Sequence, residues 1–320
     1  MLKSIFIKEI FMRILHRTLI FFLLLWPVFT VSIMALGQTE STGDTQEAGI
    51  TVFTSILPQS YFVEQIGGNR VNVEVLVGPG KSPATYEPSP QQVQQLSSAA
   101  ILFTIGVPFE NGFLPTIRAT LKDLEIVDTS TGIKKRQIDG HRHEDDHHDE
   151  EDHEHEAGAL DPHIWLSPRL AQIQAKSIYD ALVRLDPAGE NQYSQGYEAL
   201  IRDLKELDSE LTAALEPYRG SIILVYHPAF GYFADDYGLT QIAIETGGKE
   251  PSPAQLEKII NEAVEEGVKI IFVQPEFSIE SANAIAAAIN GTVVTLAPLN
   301  PDYIENLGKI SSEVKRALDN

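Results

Sequence analysis

Histidine and carboxylate side chains gather between His141 and Pro168 more densely than anywhere else in the chain. Six of the nine histidines (His141, His143, His147, His148, His153 and His155) fall in the run HRHEDDHHDEEDHEHE, where every other residue except Arg142 is an acid. Imidazole nitrogen is a preferred ligand for zinc and other late first-row cations, and interleaved carboxylates add charge without demanding geometry. The run has no apolar residue and therefore no face to bury, so it reads as a loop. Just downstream, DPHIWLSP sets His163 among apolar residues between Pro162 and Pro168. Two uses of histidine follow: a loosely organised metal collector over 141–156, and a fixed ligand at His163.

The loop also spells H-E-x-x-H, from His143 to His147. On a core helix that spacing builds a zinc peptidase. A helix through so many acids with no buried face would repel itself, so the peptidase reading is rejected. No other nucleophile motif stands out, and the chain is expected not to be an enzyme.

The net charge of -21 argues against nucleic acid or an anionic membrane surface as partner and suits a protein that handles cations. Cysteine is absent, which excludes disulfides, thiolate zinc sites and a lipid-bearing cysteine anchor. Residues 1–37 read as a signal peptide or N-terminal anchor. Lys3, Lys8, Arg13 and Arg17 precede an apolar run from Leu19 to Leu36, and Ala35-Leu36-Gly37 offers a cleavage site before Gln38. Met12 is an alternative start. The folded part is therefore expected outside the cytoplasm, periplasmic or at the cell surface, after a flexible lead-in over 38–48.

Elements that position the histidines come in two sets. ITVFTSI, VNVEVLV and AAILFTIG are candidate strands in the first, with helices over Pro88–Leu96 and Gly112–Leu121. SIILVYH, TQIAIE, KIIFVQPE and TVVTLAP make the second, with a helix between its second and third strands. That helix starts at a Ser252-Pro253-x-Gln255 cap, sets Leu256, Ile259, Ile260, Ala263 and Val264 on one face, and stops at Gly267. The expectation is an α/β fold of two similar lobes, 49–187 and 219–320, each with a mainly parallel sheet. A long rigid linker helix over 188–218 joins them, with a stripe of Leu200, Leu204, Leu207, Leu211 and Leu215. Ligands of such proteins sit between the lobes at the carboxyl ends of the strands. Two candidate ligands occupy those ends: His227 after SIILVY, and Glu276, more weakly, after KIIFVQP.

In SPATYEPSPQQVQQLSSAAILFTIG, GVPFENGF, the acidic histidine loop with DPHIWLSP, YHPAFGYFADDYGL, GKEPSP and FVQPEFS, the chain resembles ZnuA-like and TroA-like solute-binding proteins of ABC-type metal importers. The resemblance covers essentially everything from Gly49 onward. It implies two α/β lobes joined by a long helix, metal in the cleft and an ABC-type permease in the membrane as partner. The histidine loop points to zinc, with manganese the alternative. The family's second and third ligands map onto His163 and His227, but Ala84 stands at the first position and Ala297 at the fourth, with Lys81 in the same loop as Ala84. Glu276 or Glu87, or the auxiliary loop histidines, are the candidates to complete the set.

The function expected is that of an extracytoplasmic, monomeric zinc-capturing component that delivers the cation to the permease. The alternatives are a periplasmic zinc buffer or metallochaperone working through the loop, and a binding protein whose cleft has changed ligand. Asp161 is expected to set the His163 tautomer. Tyr86, Trp165, Phe230 and Tyr232 are candidates for the cleft wall.

Overall fold

The computed structural model describes residues 49–138, 160–245 and 251–319. The expected leader, the lead-in and the six histidines from His141 to His155 lie outside the described residues.

Two four-stranded sheets, both entirely parallel, organise the rest. The first holds β1 (Ile50–Ile56), β2 (Val71–Val77), β3 (Ile101–Thr104) and β4 (Glu125–Asp128), ordered β2-β1-β3-β4. The second holds β5 (Ile222–Val225), β6 (Thr240–Ala243), β7 (Ile270–Val273) and β8 (Thr292–Thr295), ordered β6-β5-β7-β8. The two orders are the same, so the chain is built from two halves of one topology. Central strands such as β3 are buried along their whole length, as a sheet covered on both faces requires. β4 escaped the sequence reading because Ile126 and Val127 are its only apolar residues, set between two acids at a half-buried edge. Its pairing to β3 runs through the backbone, which carries no side-chain signature.

Three helices belong with the first sheet: α1 (Leu57–Gly67), α2 (Pro90–Leu96) and α3 (Pro108–Thr120). α3 starts at Pro108, before the expected Gly112, because proline is pre-shaped for a first turn; Gly112 and Pro115 inside it obscured the pattern. α4 (Pro168–Leu185) follows DPHIWLS and is capped by Ser167, whose Oγ accepts from Leu170 N at 3.1 Å.

α5 (Glu190–Leu215) is the long helix, 26 residues and about 39 Å at 1.5 Å per residue. With the short 3-10 turns that flank it, the helical run covers 187–218 and matches the expected 188–218. Short 3-10 turns at Pro187–Gly189 and Glu216–Tyr218 bound it, and Pro217 cannot supply the N–H that another α-turn needs. The five stripe leucines are all buried. At Gly196 the helix meets α1 so closely that a Cβ would stand 2.4 Å from Gln65 O.

The second half continues with α6 (Gly231–Tyr237), α7 (Pro253–Glu265), α8 (Ile279–Ala288) and α9 (Tyr303–Leu318). α7 carries the expected capping box: Ser252 Oγ accepts from Gln255 N, and Gln255 Oε1 accepts from Ser252 N at 2.9 Å. α5 packs on α1 and α4 and also on α6 and α9, so it is shared scaffold for both halves. One apolar core accordingly runs from Val52 and Phe62 through the α5 leucines to Phe233 and Leu307, and a smaller one lies around β7, α7 and α8.

Candidate metal centre

His227 is placed by strand β5, two residues beyond its end, and held there by three neighbours from the ends of adjacent strands. Gln274, buried just past β7, takes the His227 backbone from both sides: its Oε1 accepts from His227 N at 3.3 Å and its Nε2 donates to His227 O at 2.9 Å. Glu245, buried just past β6, meets His227 Nδ1 through Oε2 at 3.0 Å. Phe277 stacks on the imidazole with ring centroids 5.0 Å apart and planes at 22°. The ring is thereby fixed with Nδ1 toward the protein and Nε2 toward the cleft.

His163 reaches the same place from the segment before α4. It caps the 3-10 turn Ile164–Leu166 and is 9 % exposed. Asp161 Oδ1 takes both its backbone N–H, at 2.9 Å, and its Nδ1, at 2.7 Å, so one carboxylate sets the backbone turn and the ring orientation together. Trp165 lies against the ring at 5.1 Å.

The two Nε2 atoms stand 3.4 Å apart. With zinc–nitrogen bonds of about 2.05 Å, two nitrogens at that separation subtend about 110° at the metal, the tetrahedral angle that zinc takes up. Each ring nitrogen opposite is on a buried carboxylate, the arrangement that holds a metal-binding imidazole in one tautomer. Asp161 Oδ2 and Glu245 Oε1 are buried with no hydrogen-bond partner among the described residues. Arg136 packs over Gly231 beside Asp161 but is paired with Asp235 at 3.2 Å. The two carboxylates hold the imidazoles from the side opposite the face a dication would meet.

Both histidines open onto a cavity of about 410 Å³ between the two halves. From the first half Ser82 to Thr85 line it with Val107 and Pro108; Ile138, Pro298 and Leu299 line it as well. Glu276 lines the cavity, and burial pushes its carboxyl above the usual range, against the pull of its own backbone N–H. The described residues contain no group of three or more histidine or carboxylate side chains set to hold one metal, so Glu276 stands apart from the pair. Ala84 faces the same cavity. Glu87 and Lys81 do not line it; they line a neighbouring open pocket with Tyr86. Ala297 gives its carbonyl to Asn306 at 2.8 Å.

Of the four aromatics expected at the cleft, Trp165 lines it; Phe230 is core, and Tyr232 instead hydrogen-bonds to the Asp161 carbonyl at 2.9 Å. Burial pushes the Tyr232 phenol up to about 12, so its hydroxyl stays a donor. Glu245, Gln274 and Phe277 were not singled out in the sequence. The available signal was position alone: each follows a strand of the second sheet by one to four residues, at the end where ligands gather.

Two parallel α/β halves of one topology, packed on a shared long helix with paired imidazoles in the cleft, define a two-lobed solute-binding protein with a metal-type site. Residues 52–317 match the family model described as "Zinc-uptake complex component A periplasmic", and the chain belongs to that family. It is 31% identical over 273 residues to the high-affinity zinc uptake system protein ZnuA of Bacillus subtilis, covering 83% of this chain and 84% of that one. A crystal structure of ZnuA superposes with a TM-score of 0.77 at 37% identity, covering 84% of this chain and 99% of that one. A ZnuA deletion mutant with zinc bound gives 0.76 at 37% identity, covering 84% and 98%.

Proposed function

We propose that this chain captures zinc outside the cytoplasm in the cleft between its halves, with His163 and His227 as protein ligands, and delivers it as a monomer to an ABC-type permease. The observation that carries the reading is the pair of Nε2 atoms at 3.4 Å, each backed by a buried carboxylate. The relatives' names agree with it, one being a zinc uptake system protein and another a ZnuA variant with zinc bound. The residues that support export are the charged and apolar ones of 1–37; among the described residues no helix is long and apolar enough to cross a membrane. Imidazole donors favour zinc over manganese, which prefers oxygen. Glu276, on the cavity wall, is the candidate for a further donor, and water completes the tetrahedron where protein does not.

A second reading, a zinc buffer working through the histidine loop, is favoured by the single pair of converging imidazoles among the described residues. Trp165 separates the two. It lies against His163, and the only other tryptophan, Trp26, is in the expected leader. In a Trp26→Phe chain, zinc should change Trp165 fluorescence in a saturable way, and His163→Ala or His227→Ala should abolish the change. Tight zinc uptake with no response from Trp165 would favour the buffer.

A further inference from the structure

His163 sits between two backbone carbonyls, each of which receives a tyrosine hydroxyl from the second half of the chain. Tyr232 Oη donates to Asp161 O at 2.9 Å, and Tyr303 Oη donates to Trp165 O at 2.6 Å. The carbonyls belong to the residues two before and two after His163. Both tyrosines are buried and neither lines the cavity, so neither touches the metal. Tyr232 lies five residues after His227, in the helix that its strand runs into. Tyr303 opens α9, and Trp165 Nε1 donates to Pro298 O at 2.9 Å on the approach to that helix.

We propose that Tyr232 and Tyr303 are positioning residues of the metal site: they pin the His163 segment to the half of the molecule that carries His227, and so set the Nε2 separation before metal arrives. The inference rests on the zinc-binding reading above. Although His163 lies ahead of α4 in the chain, both its flanks hang from the second half. The Asp161 pin acts directly on the ring, because the same residue's carboxylate holds His163 Nδ1. The two imidazoles then behave as one preformed half-site, and the Ser82–Thr85 wall only covers it. A simple core role for the tyrosines accounts for their rings. It does not account for both hydroxyls finding the backbone symmetrically about one histidine.

The phenylalanine variants test this because they keep the rings and remove only the hydroxyls. Full-length chain is loaded with one equivalent of cobalt(II), and the visible spectrum of a His163→Ala chain is subtracted to remove the other histidines' contribution. The parent should show a tetrahedral cobalt band. Tyr232→Phe and Tyr303→Phe should each weaken that band and lower zinc affinity about tenfold, as loss of outer-shell support generally does. Tyr237→Phe, which removes a hydroxyl of the same helix that bonds to Asp208 at 3.2 Å, should lower the melting temperature comparably and leave band and affinity unchanged. If Tyr232→Phe does not fold, Tyr303→Phe alone carries the test. Parental spectra and zinc affinity within twofold in the phenylalanine variants would overturn the positioning role and leave the zinc site standing. A parent with no His163-dependent band would remove both.

Discussion

The two halves share one strand order, yet they treat their strand ends differently. In the second half, the residues just past β5, β6 and β7 converge: His227 presents Nε2, Glu245 holds its Nδ1, and Gln274 clamps its backbone. In the first half the corresponding ends build a wall. The segment after β2 carries Ala84 to the cavity, and the segment after β3 carries Val107 and Pro108. Each half also buries a glutamate beside these ends. Glu245 serves an imidazole, whereas Glu110 accepts the backbone N–H groups of Ile105, at 3.1 Å, and Gly106, at 2.7 Å. Gly106 turns there with φ of +92°, a conformation that side chains rarely adopt. The same topology thus supports a face of buttressed imidazole on one side and a mostly apolar wall on the other, because strand order fixes where loops meet and residue choice fixes what they do.

Four measurements bear on that contrast. The largest concerns unequal walls: His227→Ala should cost more than about 100-fold in zinc affinity, while Thr85→Ala on the opposite wall should change it by less than about twofold, read by competition with a chelating dye. Equal losses would make the first half a full partner in binding. Next, Glu245→Gln should weaken zinc by roughly 10-fold to 100-fold, since the replacement amide can hold His227 Nδ1 but supplies no charge. A smaller gain is expected from Ala84→His, which offers an imidazole from the covering wall; isothermal titration should show tighter zinc, and no gain would mean the wall stays too far away.

The smallest effect is on stability. Burial, the leading influence, raises the Glu110 carboxyl above its ordinary value, against the backbone N–H groups that pull it down. Its folded value therefore lies above its unfolded one, and its contribution to stability is full below about pH 4.5 and is lost as pH rises through the folded value. The melting temperature of Glu110→Gln relative to the parent should accordingly rise from pH 4.5 to pH 7.5. A difference independent of pH would show that Glu110 titrates as it does in the unfolded chain.

Much of this architecture was legible in the sequence because parallel buried strands and an amphipathic helix leave periodic apolar signatures. The α5 leucines and the Ser252 cap behaved as their spacing required. β4 did not show itself, since its identity lies in backbone pairing at an edge. The candidate site divides the same way. His163 and His227 could be found by type and position, and Asp161 by adjacency to His163. Glu245 and Gln274 act on His227 from 18 and 47 residues away, a relation that only the sheet order creates. Tyr232 looked like a wall aromatic because a sequence shows the ring and not where its hydroxyl goes.

On the proposed reading, His163 and His227 together hold zinc in the cleft without help from the histidine loop. Zinc titration calorimetry on the chain from Gln38 onward, with residues 141–156 removed, tests it most directly. A single saturable tight site is expected, and it should disappear when His163→Ala is introduced into the same chain. No tight site in the loop-deleted chain, or an isotherm unchanged by His163→Ala, would contradict it.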